Sequence, residues 1–231
     1  MQLTTLLSIL PLLSLAHGGP IFPLPNLNQD ILSAFLPDES TTRIPTVHES
    51  AILARRILSL TRHGTFSTVF PSGDDPNRPA DVASLPIGLP DYIADCEGTG
   101  NPTILGMPIG TSFKNANAGS NFTLSLAWLP PHHEPFSRVA LPRFALIGYL
   151  EDIPSSQNVK PCYLLAHPDA RAWTPGNPIH ESLWMRLVVR EIYWIGGFGN
   201  MAYIGWIPLE EWTGVRAKEI EEARLPFEEE A

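Results

Sequence analysis

Three glycines break an aromatic run late in the chain: Gly196-Gly197-Phe198-Gly199, inside IYWIGGFGNMAYIGW, Ile192 to Trp206. Such a cluster can cradle a phosphate, turn one strand into the next, or form the lip of a flavin pocket. A phosphate loop requires Gly-x4-Gly-Lys-Ser/Thr, and the dinucleotide fingerprint requires Gly-x-Gly-x-x-Gly at the start of a helix. GGFGNM matches neither, and an aromatic strand pattern follows it, so the spacing reads as a strand connection. The chain has no His-Glu-x-x-His zinc helix and no Gly-x-Ser-x-Gly elbow. His132-His133-Glu134 sits between prolines and reads as a solvated loop, and His48 and His180 each precede Glu-Ser without a partner at catalytic spacing. Glu151-Asp152 and Glu210-Glu211 read as strand and turn ends facing water. Spacing alone yields no catalytic constellation.

Two cysteines, Cys96 and Cys162, are present. In an oxidising compartment they could pair; otherwise they are two buried thiols, and both readings stay open here. Residues 1–18 have the pattern of a secretory signal peptide: an apolar run from Leu6 to Ala16, then Ala16-His17-Gly18 as a small-x-small cleavage site. That run is shorter than the roughly 20 apolar residues a membrane span needs, and no membrane span is expected elsewhere. Asn121-Phe122-Thr123 is an N-glycosylation sequon, whereas Asn101-Pro102-Thr103 carries the forbidden proline. The expected location is outside the cell, or the lumen of a lysosome-like or vacuolar compartment.

The elements that must hold any site follow from composition and pattern. The formal net charge is −9 and no basic stripe exists, which argues against nucleic acid. Prolines are abundant, charges sparse, and aromatic and β-branched residues fill short runs, as in a β-rich domain with many turns. Residues 19–45 read as a Pro-rich arm. Thr46 and Glu49 have capping-box spacing and open a helix with Ile52, Leu53, Ile57 and Leu60 on its apolar face. Strands are predicted in SLTRHGTFSTVF (a pair around Gly64, or one strand with a bulge), ADVASLPIGLPDYIADC (edge-like because of Pro86 and Pro90), PTILGMPIG, NFTLSLAWL, RFALIGYLEDI, SLWMRLVVREIYWI and AYIGWI, with a short polar helix or turn in TSFKNANAGS and a helix in SSQNVKPCYLLAHPDARAW, where Pro161 sits in the first turn and Pro168 ends the helix. Period-two alternation places Trp184, Trp194 and Trp206 on one face. Residues 214–231 read as a solvated acidic tail. The expected fold class is mainly β (α+β), a closed or split β-barrel of antiparallel strands with a few short helices.

Several stretches together resemble the CREG-type secreted glycoprotein family: HPDARAW (His167 to Trp173), ARRILSLTRHGTFST, SFKNANAGSNFTLSL, and LWMRLVVREIYWIGGFGNMAYIGWIPLEEW. The resemblance runs from Thr46 to Trp212 and sets the expected domain at 46–213. It implies the split barrel of pyridoxamine 5′-phosphate oxidase and related FMN-binding proteins, which are usually homodimers with the flavin at the subunit interface. CREG-type members are glycoproteins without known enzymatic activity, so the resemblance implies a non-catalytic homodimer that binds a protein partner and needs no cofactor. The alternative is an FMN-dependent oxidoreductase of the pyridoxamine-phosphate-oxidase type. A third reading is a haem-binding barrel with a histidine ligand.

An FMN site must neutralise a phosphate dianion. In flavin-binding relatives an arginine follows the Gly-x-Pro turn on the second strand, where this chain has Val82, Ala83 and Ser84. The donor cluster before the short helix is retained only as Thr111, Ser112 and Lys114, the cofactor-binding candidates under the FMN alternative. No metal ligands and no catalytic residues are expected.

Overall fold

The computed structural model describes residues 43–73, 75–132, 137–199 and 201–228. The expected signal peptide and nearly all of the arm lie outside these residues, as do His133 and Glu134.

Helix α1 (Val47–Leu60) begins where Thr46 and Glu49 close a capping box, and Arg43 pairs with the Glu49 carboxylate. Its buried stripe is Ser50, Ala51, Ala54, Arg55, Ile57 and Leu58. Ile52 and Leu53 are only half-buried and Leu60 is exposed. Small residues, more than the predicted large ones, face the sheet, because Ala51 and Ala54 let the helix approach closely.

Seven strands follow: β1 (His63–Val69), β2 (Pro86–Tyr92), β3 (Thr103–Gly106), β4 (Phe122–Ala127), β5 (Arg143–Asp152), β6 (Leu183–Ile195) and β7 (Ile204–Ile207). All pairings are antiparallel, in the order β2-β1-β4-β5-β6-β3, with β7 also on β6. The first part of β6 pairs with β3 and its last part with β7. This corrects the expected fold class: the sheet is not closed into a barrel, and the whole is a mixed α/β fold. The chain just past β2 meets β3 in one isolated bridge, Ala94 with Thr103. Two features stop closure. Pro86 and Pro90 lack the N–H groups a ladder needs, and β3 ends after four residues.

Short helices fill the connections: α2 (Thr111–Asn117), α3 (Lys160–Ala166), α4 (Leu209–Thr213) and α5 (Ala217–Glu222). The helix predicted to end at Pro168 does end there: α3 stops at Ala166, and Pro168, which cannot donate, opens a separate 3-10 turn over Pro168–Trp173; α3 begins only at Lys160, later than the predicted start in SSQNV. The main core joins α1 and the C-terminal helices to the inner sheet face through Ala54, Ile57, Phe66, Leu146, Trp194 and Trp212. A smaller cluster of Ala94, Leu105, Tyr163 and Ala170 lies beneath α3, with Trp184 against it. Cys96 and Cys162 are joined as a disulfide, which ties α3 to the loop after β2.

The tail is not simply solvated. Val215 and Leu225 belong to the main core, Glu228 pairs with Arg56, and Trp128 Nε1 donates to the Pro226 carbonyl at 2.7 Å. Apolar residues spaced along an acidic run carry the chain back over the domain beyond the expected boundary at 213.

The tryptophan alignment also changes. The β5–β6 register shifts between Ile147 and Gly148, which pair with Glu191 and Val189. Arg190 is therefore extra, and the faces of β6 exchange there. Leu187 and Val189 point inward before the bulge, Ile192 and Trp194 after it. Trp194 is consequently core, Trp184 lies under α3, and Trp206 is 54% exposed on the outer face.

Candidate functional site

The glycine cluster connects β6 to β7. Gly196 N–H donates to the Tyr203 carbonyl at 3.0 Å, and a side chain on Gly196 would come within 2.8 Å of Trp194 Nε1. Gly197 has φ +146, and its Cβ would lie 2.8 Å from the Ala140 carbonyl. These positions are glycine because space is short.

His167 and Asp169, from the His-Pro-Asp motif, fasten the 3-10 turn to β2. The His167 ring stacks on Tyr92 with centroids 4.2 Å apart, and its Nε2 lies 2.9 Å from the Ile93 carbonyl oxygen. The Tyr92 hydroxyl donates to Asp169 at 2.7 Å. That bond raises the Tyr92 phenol and lowers the Asp169 carboxyl. Burial pushes His167 down and Asp91, its neighbour across Tyr92, up. His63 meets Tyr92 edge-on at 4.9 Å. The cluster is packed and satisfied, which makes it a clasp.

The FMN candidates sit at α2. Ser112 is buried, Thr111 half-buried and Lys114 exposed. Lys114 lines a groove of about 560 Å³ with Phe113, Tyr149, Asp152 and Met185. One cation beside one carboxylate leaves no net positive charge for a phosphate dianion. A Cβ on Gly106, at the groove wall, would lie 2.5 Å from Met185 Sδ, so the wall is already filled. This donor set does not fit FMN. Among the described residues no cluster of His, Cys, Asp or Glu could hold a metal ion. His48 is committed to Glu211, 2.7 Å from Nδ1. Asn121 is exposed at the start of β4.

A larger groove of about 720 Å³ crosses the outer sheet face. It follows from which residues point outward. Thr65, Ser125, Ala145 and Tyr193 stand side by side across β1, β4, β5 and β6. In the neighbouring outward row, Ala127, Arg143 and Ile195 stand side by side, with His63 at the start of β1. Small side chains on the central strands form a floor, Tyr193 and Ile195 one wall, and Leu60, Arg62 and Pro90 contribute elsewhere. Arg62, His63 and Arg143 line it, and no lining residue is Asp or Glu. No sequence motif marks this site, because its residues come from four strands. The available signal was small residues at alternating positions in SLAW and RFAL.

Past Tyr193, the same face is apolar. Tyr193 pairs across to Trp206, their rings 5.1 Å apart, and Ile204 beside them is exposed.

The chain belongs to the CREG beta-barrel family, whose model matches residues 45–214. A comparison with curated protein sequences finds no match. Among solved structures, a heme binding protein from Mycobacterium smegmatis is similar at TM-score 0.56 and 18% identity, over 74% of this chain and 62% of that one. A protein of unknown function from Agrobacterium tumefaciens str. C58 is similar at TM-score 0.49 and 19% identity, over 68% of this chain and 61% of that one. The match to a FAD-binding protein from Mesorhizobium loti has TM-score 0.40 and 13% identity, over 62% of this chain and 89% of that one. The chain thus spans about three-fifths of the length of the first two. Among the described residues no helix is long and apolar enough to cross a membrane.

Proposed function

We propose that this chain is a non-catalytic binding protein that works as a two-fold homodimer, with the β6–β7 end of its outer sheet face at the seam. The observation that carries the reading is the exposed patch of Tyr193, Ile204 and Trp206 on the edge strand and its neighbour. Exposed aromatics are costly on a monomer and enriched at interface centres. Membership of the CREG family agrees with a binding role, as does the satisfied state of the His167 cluster.

The protein is proposed to act outside the cell or in a lysosome-like or vacuolar lumen, glycosylated at Asn121. Expressed with its leader, it should be trimmed near Gly18. Asn121→Gln should then sharpen the gel band; an unchanged band would contradict glycosylation.

A second reading is the flavin-dependent oxidoreductase. It draws on the fold shared with a heme binding protein, since a frame that seats one flat cofactor can seat another. The visible spectrum of the purified protein separates the readings: no cofactor band supports the binding protein, a flavin band the oxidoreductase, and a Soret band a haem carrier.

A further inference from the structure

We propose that the outer groove is a binding site for an amphipathic organic anion, a molecule with an apolar body and one anionic head. Charge is unevenly distributed along the groove. The row Thr65, Ser125, Ala145 and Tyr193 is uncharged. The neighbouring outward row carries His63 and Arg143, and Arg62 immediately precedes β1. Rows on one face repeat every two residues, about 7 Å apart. Both arginines therefore lie at one end of the groove, and the neutral floor continues away from them.

The cations are available. Arg143 Nη1 donates to the Val139 carbonyl at 2.7 Å, which leaves the rest of its guanidinium uncommitted, and neither Arg62 nor Arg143 has a carboxylate partner among the described residues. In a chain with 24 acidic and 15 Lys and Arg residues, a groove lined by two arginines and a histidine but no carboxylate is a local reversal of charge. Guanidinium groups beside an apolar floor suit a carboxylate, sulfonate or phosphate head, because burying the body on the floor also weakens competition from water. Ser125 and Thr65 add hydroxyl donors to the floor. This groove shares no lining residue with the one at Lys114.

The test is a fluorescence titration of the purified full chain at low salt with 8-anilinonaphthalene-1-sulfonate. N-phenyl-1-naphthylamine, the same apolar body without the sulfonate, is the comparator. The sulfonate should bind saturably, one per chain, and on the order of tenfold more tightly than the amine. Arg62→Gln with Arg143→Gln should remove that preference and leave the amine unmoved. Ala145→Phe, which fills the floor, should abolish binding of both probes, and far-UV circular dichroism reports whether each variant is folded. Should the arginine pair fail to fold, salt supplies the same contrast, weakening the sulfonate alone. Equal affinity for the two probes, or unchanged sulfonate binding in folded Ala145→Phe, would overturn the proposal. It does not rest on the dimer, since light scattering reads mass and the titration reads the groove.

Discussion

A Cβ placed on Gly148 would collide with the main-chain oxygen of Val188 on the neighbouring strand. The contact falls where the β5–β6 register slips, and it shows how the bulge is built: β5 supplies a position without a side chain, and the β6 main chain at Val188 and Val189, just before the extra residue Arg190, closes onto it. The slip lets one long strand send Val189 and then Trp194 into the same core.

Gly148→Ala should therefore destabilise the fold by about 1–3 kcal/mol, the range for overpacking against a backbone that cannot move freely. Thermal unfolding followed by circular dichroism should show a midpoint lower by several degrees. A midpoint equal to the wild type would mean the bulge has room to spare.

The disulfide between Cys96 and Cys162 closes a loop with a sequence separation of 66. In the chain-entropy model a loop of this length contributes about 4 kcal/mol. The double substitution Cys96→Ala and Cys162→Ala should lower the denaturant midpoint, with α3 the first element to lose protection from hydrogen exchange, because only the small cluster around Tyr163 then holds it. Peptide mapping without reduction should recover the linked pair. Free thiols on both residues in the native protein would contradict the linkage.

His48 joins α1 to the C-terminal helices. Its Nδ1 lies 2.7 Å from Glu211 and its Nε2 3.6 Å from Glu219, which also pairs with Arg216. Glu49 and Arg43 stand at the same end of α1, and Glu210, Lys218 and Glu222 belong to the two short helices. The bond to Glu211 raises the His48 pKa against the opposing effect of burial, with Glu219 adding to the rise. A histidine raised on folding stabilises fully below its unfolded value of about 6.5, and that contribution is lost as the pH climbs through its folded value. Glu219, held down to about 2 chiefly by Arg216, stays ionised across that window. His48→Gln should remove a contribution that favours about pH 5.5 over about pH 8, no more than about 1 kcal/mol for a pair this exposed; His167, pushed down by burial, acts in the opposite direction in both proteins and cancels in the comparison. An identical pH profile in the variant would show that the pair contributes nothing.

Much of the frame is legible in the sequence. Thr46 and Glu49 marked the start of α1, Pro161 the first turn of α3, and alternation in FTLSLA and RFALIG the two central strands. Three things are not. The bulge at Gly148 depends on a clash between strands distant in sequence, so no window around Trp184 or Trp194 could report the exchange of faces. The opening of the sheet depends on the short reach of β3, which a strand-length pattern does not reveal. The docking of the tail rests on Val215 and Leu225, two apolar residues within an acidic stretch whose average character is solvated. The outer groove was illegible for a related reason: its floor is defined by what Ser125, Ala127 and Ala145 lack.

The central claim is that the Tyr193–Trp206 end of the sheet is covered by a second copy of the chain. Multi-angle light scattering of the wild type at micromolar concentration, repeated with Trp206→Glu, tests it directly. The account predicts twice the chain mass for the wild type and a shift toward monomer for the variant. A wild-type monomer mass across that range would contradict it.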